Sequence, residues 1–391
     1  MKSESSHKLS ITKWRKLPLG KLVSYISKGI VPKYTEAKRT SDVVLVLNQR
    51  CNRDAKINFQ NARWHELNAK RVPAEKYIQR GDILINSTGT GTAGRIAQVN
   101  NISSPVTFDG HMILLRAAPN INPFFLGYAI KMFQPIVEQL AEGSTGQTEI
   151  NRERLLNEIE INFPEDMSIQ RKIAAILSAL DDKIENNNAI CKNLEEQAAA
   201  LYKSWFVDFE PFGGKKPQSW KEASLKDLVE IKYGKDHKKL NDGMVPVYGS
   251  GGEMRRVETA IYSDESVLIP RKGSLNNVIY ASDPFWTVDT MFYTRMRINN
   301  VCKYVHQFIK RINLEGLNAG SAVPSMTTEI LYSLKVHLPT YDVLDHFEAL
   351  VKPMYEMRHC TMQQNITLAS LRDALLPKLL SGEVEVDKVA I

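Results

Sequence analysis

Trp14-Arg15-Lys16-Leu17-Pro18-Leu19-Gly20-Lys21-Leu22-Val23 returns 206 positions later as Trp220-Lys221-Glu222-Ala223-Ser224-Leu225-Lys226-Asp227-Leu228-Val229. The repetition extends outward from there. Gly143-Ser144 followed by Asn162-Phe163-Pro164 returns as Gly320-Ser321 followed by His337-Leu338-Pro339. Each copy then runs into a long helical stretch, from about Ser168 to Phe206 and from about Asp345 to Leu380. The chain reads as a globule (1–165), a long helix (166–210), a second globule (211–340), a second long helix (341–382) and a tail (383–391). A protein built this way presents two similar surfaces at a fixed separation.

Charge follows the same division. The chain has 391 residues and a net charge of +7; its 43% hydrophobic and 24% charged residues are those of a soluble globular protein. Counting Lys and Arg against Asp and Glu, residues 1–165 carry +8 and 211–340 carry +5, whereas 166–210 and 341–391 carry −3 each. Two basic globules suit a polyanion, because each cation near a phosphate releases condensed counterions. No apolar run reaches the roughly 18 residues of a membrane span, and Met1–Lys8 lacks the apolar core of a signal peptide. The expected location is cytoplasmic. Cys51, Cys191, Cys302 and Cys360 are scattered and no i, i+4 histidine pair encloses a glutamate, so reduced thiols are expected and a metal site is not.

The first helix carries a seam at Ile173, Leu177, Leu180, Ile184, Asn187, Cys191, Leu194, Ala198, Leu201 and Trp205, stepping four and three without a break. Asn187 alone is polar, and a buried polar seam residue fixes pairing register. A shift of 174 gives Phe347, Val351, Met354, Arg358, Thr361, Asn365, Leu368, Arg372, Leu375 and Leu379, a seam with four polar positions; Pro353 is expected to start or kink this helix. Each stripe is the other's most economical partner. Antiparallel pairing relates the globules by a pseudo-twofold axis. A rod of this length spans roughly 55 to 60 Å, about 17 base pairs of duplex at ~3.4 Å each.

Both globules read as mixed α/β with many short strands. Asp82-Ile83-Leu84-Ile85-Asn86 and Ser266-Val267-Leu268-Ile269-Pro270 are strands, each followed by a polar glycine-containing loop, Ser87–Arg95 and Arg271–Asn277. Loops on a rigid scaffold are where base-reading side chains belong, and Asn, Gln, Arg, Ser and Thr match base-edge donors and acceptors. The candidate DNA contacts are therefore Gln49, Arg50, Asn86, Ser87, Thr88, Thr90 and Arg95 in the first globule. In the second they are Lys235, Lys238, Ser250, Arg255, Arg271, Lys272, Ser274, Asn276 and Asn277. Asn52-Arg53 and Arg256 lie in the same polar clusters.

Three motifs are decoys. Gly89-Thr90-Gly91-Thr92-Ala93-Gly94 matches the dinucleotide fingerprint, but Arg95–Asn101 behind it is strand-like rather than the helix that must hold a pyrophosphate. Asn122-Pro123-Phe124-Phe125 and Asp283-Pro284-Phe285-Trp286 echo a methyltransferase motif but lack its second proline. No phosphate loop of the Gly-x-x-x-x-Gly-Lys-Ser/Thr type is present. No catalytic residues are expected in this chain.

Four segments carry a family resemblance: Gly81-Asp82-Ile83-Leu84 with its loop; Gly143-Ser144 through Phe163-Pro164; Gln170-Arg171-Lys172-Ile173 through Trp205-Phe206-Val207-Asp208-Phe209-Glu210-Pro211-Phe212; and Leu371-Arg372-Asp373-Ala374-Leu375-Leu376-Pro377-Lys378-Leu379-Leu380-Ser381-Gly382. Over nearly its whole length the chain resembles the specificity subunit of a type I restriction–modification enzyme. The resemblance implies two target recognition domains, each reading half of a bipartite double-stranded DNA site, on paired helices that set the spacer and dock two methylation subunits. S-adenosylmethionine would then be bound by the methylation subunits, and ATP and Mg would serve the restriction subunits. Two alternatives differ in class: a self-sufficient adenine DNA methyltransferase with degenerate motifs, or a coiled-coil scaffold that binds only proteins.

Overall fold

A computed structural model describes residues 13–36, 41–143, 148–318 and 324–389; Met1–Lys8, Ser144 and Gly320-Ser321 lie outside the described residues. The chain divides into two compact units, Met1–Glu185 with Ile366–Ile391, and Asn186–Asn365. Each unit holds one globule and part of both long helices.

In the first unit the tryptophan of the repeat opens strand Trp14–Pro18, antiparallel to Glu160–Pro164. In the second unit Lys221–Ser224, directly after Trp220, pairs with Lys335–Leu338 in the same sense. The first unit then builds an antiparallel sheet in the order Val23–Lys28, Met112–Ala117, Ile83–Asn86, Ile96–Gln98. The second builds Val229–Tyr233, Met291–Met296, Ser266–Pro270, Ile279–Ala281. A further sheet in the first unit runs Val106–Phe108, Val43–Leu47, Arg63–Glu66, Tyr34–Thr35, its first pair parallel. Its counterpart runs Trp286–Thr287, Asp242–Gly249, Gly252–Val257, and the first pair is again parallel. Strand order and sense are duplicated throughout the main sheet and over three strands of the smaller one, even where the sequences have parted.

The central strands carry unbroken apolar runs, Ile83–Ile85, Met112–Leu115, Val267–Ile269 and Met291–Tyr293, because both faces are buried. Ile83, Ile85, Ile113 and Leu115 face a core shared with Phe125, Ile130, Ile173, Leu177 and Leu379. Leu84, Met112 and Leu114 point the other way, onto Leu47 and Phe108. In the second unit Val267, Ile269 and Phe292 face Tyr304, Ile309 and Phe347, while Leu268, Met291 and Tyr293 face Phe285. Strand alternation thus places one core against the helices and another beneath the smaller sheet.

The long helices run Met167–Phe206 and Tyr341–Ser381. Asp166 holds the first turn, its carboxylate accepting from Ser168 N–H at 2.7 Å. Gly382, at φ +79°, follows the end of the second. Pro353 does not start that helix, which begins at Tyr341 and runs through it. The flanking Val351 and Tyr355 are buried in the core of the second unit, and this packing outweighs the one backbone hydrogen bond that proline cannot donate.

Candidate nucleic-acid interface

In the first globule the loop after Ile83–Asn86 is tied down from below. Asn86 and Ser87 are fully buried; Asn86 Nδ2 donates to Gln49 O at 3.1 Å, and Asn86 exchanges backbone bonds with Gly94 and Arg95. Thr88 Oγ1 and His111 Nδ1 share a hydrogen bond of 2.9 Å. Arg95 reaches back across the loop to Gly91 O at 2.9 Å, and Thr90 is exposed at the tip. Gly94 has φ +86°, and a Cβ there would lie 2.6 Å from Glu138 Cα. Only glycine lets the loop approach helix Gln134–Gln139 this closely.

Beside the loop opens a cleft of about 800 Å³, lined by Gln49, Arg50, Asn52–Ala55, Asn61, Thr92, Arg95, Lys131, Gln134 and Pro135. Its cations are Arg50, Arg53, Arg95 and Lys131, and its one carboxylate is Asp54. Burial pulls the Lys131 ammonium below its ordinary value; Asp181 opposes that shift and Arg372 adds to it. Three of the sequence-derived contacts, Gln49, Arg50 and Arg95, meet here. Lys131 carries no motif signal because it closes a helix, Pro123–Lys131, that no loop pattern marks.

The second globule repeats the junction. Asn277 Nδ2 donates to Ser250 O at 2.9 Å, as Asn86 does to Gln49 O, and Gly273 (φ +82°) sits against Ser250. In both globules a backbone carbonyl just past the end of a strand of the smaller sheet accepts an asparagine side chain, from the last residue of the buried strand in the first globule and from the loop behind that strand in the second. Arg271 lies over the exposed ring of Tyr233 at 5.3 Å and donates to Asp289 O. Lys235 follows two residues after Tyr233, and its carbonyl accepts from Trp286 Nε1. Asn276 bonds Asn313 and Glu315 N–H, Lys238 N–H caps onto Asp236, and Lys272 bridges to Ser325. Ser274 is exposed, and Arg255 bonds Leu240 O and Asp242 within its own hairpin. A shared glycine escapes the sequence reading. Gly29 and Gly234 each follow the first strand of the main sheet, where a Cβ would fall 2.2 Å and 2.0 Å from backbone carbonyls of Asp109 and Val288. The offset between them is 205 where the tryptophan repeat has 206, so the pair emerges only when that repeat is extended with a one-residue gap.

The helix seams are located unit by unit. In the first, Ile173, Leu177 and Leu180 are buried, Ile184, Leu368 and Leu375 half-buried, and Arg372 bonds Asp181 at 2.7 Å. In the second, Asn187 is buried and donates to Asn365 Oδ1 at 2.9 Å. Arg358 pairs with Glu195 at 2.6 Å, Phe347 and Val351 are buried, and Leu194, Leu201 and Met354 are half-buried. Low-numbered positions of one helix meet high-numbered positions of the other, so the pairing is antiparallel within each unit. The two seam arginines that break the heptad each have a carboxylate on the opposite helix.

The family described as the type I restriction modification DNA specificity domain matches residues 14–196 and 217–344, one stretch for each copy of the repeat. The chain belongs to this family. DNA target recognition is the role of type I specificity proteins. The type I restriction enzyme MjaIX specificity subunit of Methanocaldococcus jannaschii is 26% identical over 271 residues, covering 60% of this chain and 62% of that protein. The HindI specificity subunit of Haemophilus influenzae is 22% identical across 81% of this chain and 90% of its own length. The crystal structure of a type I restriction–modification S subunit from M. genitalium covers 97% of this chain and 98% of that one, with a TM-score of 0.61 at 20% identity. That likeness is one of fold. Among the described residues no helix is long and apolar enough to cross a membrane.

Proposed function

We propose that this chain is the DNA-reading subunit of a cytoplasmic type I restriction–modification complex, each globule reading one half of a bipartite duplex target. The paired helices set the distance between half-sites and dock two methylation subunits. Methyl transfer from S-adenosylmethionine and ATP- and Mg-dependent cleavage belong to partner subunits, and this chain contributes recognition and geometry. The observation that carries the reading is that each globule places a polar loop directly behind its buried strand and ties that region to the end of a smaller-sheet strand, through Asn86 on Gln49 O and Asn277 on Ser250 O. Basic globules on acidic helices fit the same division, the globules for phosphate and the helices for protein partners.

The test is binding to duplex DNA by the chain together with its methylation subunits. Binding should weaken steeply as salt rises and prefer one bipartite sequence. Methyl transfer by the purified chain alone would instead favour the methyltransferase reading, and salt-insensitive failure to bind DNA would favour a protein scaffold.

A further inference from the structure

Building on the DNA-reading assignment, we propose that the cleft of the first globule grips the sugar–phosphate backbone of one DNA strand, with Arg53, Arg95 and Lys131 as its phosphate contacts. The grip is an addition to the first globule. Its wall is the 48–62 connection between strands Val43–Leu47 and Arg63–Glu66. The corresponding strands of the second globule, Asp242–Gly249 and Gly252–Val257, are joined by Ser250-Gly251 alone. The two half-sites are therefore held unequally.

The chemistry of the cleft fits a nucleotide better than a simple anion. Its sides present four cations to one carboxylate. Two of its lining residues, Asn52 and Gln49, hold buried acceptors. Asn52 is 1% exposed, and its Nδ2 is committed to Leu84 O and Arg95 O, so the amide cannot be turned around. Asn52 Oδ1 is thereby left as a buried acceptor without a donor, and Gln49 Oε1 is in the same condition. An unpaired buried acceptor is destabilising, which is a reason to look for its donor in a ligand. A nucleotide supplies both missing partners, a phosphate for the sides and an exocyclic amine for the buried acceptors. The half-buried Lys131 ammonium gains a counter-charge in the same event.

The experiment is a salt titration of the full chain binding a randomised duplex, comparing wild type with the triple variant Arg53→Gln, Arg95→Gln, Lys131→Met. The slope of log affinity against log salt should flatten by about 2 to 3, at roughly 0.9 for each phosphate no longer neutralised. Arg53→Gln alone, at an exposed position, should flatten it by about 1 and guards against a folding defect in the triple variant. The matched change in the second globule, Lys235→Gln, Lys238→Gln, Arg271→Gln, should flatten it by less than half as much as the first triple. Equal flattening by both triples, or an unchanged slope in the first, would overturn the grip. Wild type lacking any salt-dependent DNA binding would be a separate failure, removing the DNA-reading assignment along with it.

Discussion

In the second globule His306 lies beneath Tyr355, its Nδ1 2.6 Å from the phenol oxygen. Burial pulls the imidazole pKa down to about 3, and Lys310 and Arg358 push the same way. Tyr280 packs against the ring at a 59° tilt, and Gln307 also donates to Tyr355. The fold therefore keeps His306 neutral while the unfolded chain protonates near 6.5. As pH falls through that value the unfolded state gains a proton the folded state refuses, and stability drops by about 1.4 kcal/mol per pH unit. Between pH 7 and 5 this amounts to about 2 kcal/mol. His306→Gln should remove that share of the acid sensitivity in urea unfolding; an equal pH dependence in both proteins would contradict the assignment. Lys303 is a second buried group, 1% exposed, with Nζ 2.9 Å from Glu265 and 2.7 Å from Glu348. Burial alone would lower its pKa, but the hydrogen bonds to Glu348 and Glu265 outweigh burial and leave it raised. Lys303→Met strands the Glu348 carboxylate and should cost about 3–5 kcal/mol. Adding Glu348→Gln should recover most of that loss; no recovery would mean that packing rather than charge sets the cost.

Among the elements, the long helices are legible from sequence because their signal is periodic and local. Nine of ten seam positions in the first are apolar, and the register of both seams follows from counting. The polar breaks are not legible in the same way. Arg358 and Arg372 look like faults until Glu195 and Asp181 are seen opposite, more than 160 positions away in the chain. Asn187 and Asn365 show the same logic. Asn187→Ala leaves its partner's carbonyl unpaired in a buried seam and should cost about 1–3 kcal/mol; the double change to leucine should restore stability while loosening register. Thermal unfolding of the single and double variants decides the point. The central strands can be read because both of their faces are buried. The smaller sheets cannot, since Tyr34–Thr35 and Trp286–Thr287 are two residues long and owe their existence to distant pairing. The same distance hides Lys131 from the candidate site. At the loops, Gly94→Ala would combine a left-handed φ with a Cβ 2.6 Å from Glu138 Cα. It should destabilise the loop by about 1–3 kcal/mol and weaken reading of one half-site only. Equal weakening of both half-sites would mean that the globules do not read independently.

For the molecule as a whole, duplication is the organising fact. Two globules share strand order, strand sense and the Asn-to-carbonyl junction, though they differ in the connection that walls the first globule's cleft. Each long helix contributes to both units, and on the proposed reading helix length sets the gap between half-sites. The most direct measurement maps methylated adenines laid down by the complex before and after a seven-residue insertion in both helices, placed after Glu185 and after Asn365 to preserve the paired seam. Seven residues add about 10 Å of helix, or about 3 base pairs of duplex at ~3.4 Å each. The account predicts unchanged half-sites separated by a gap about 3 base pairs longer. Methylation retained at the original spacing would contradict it.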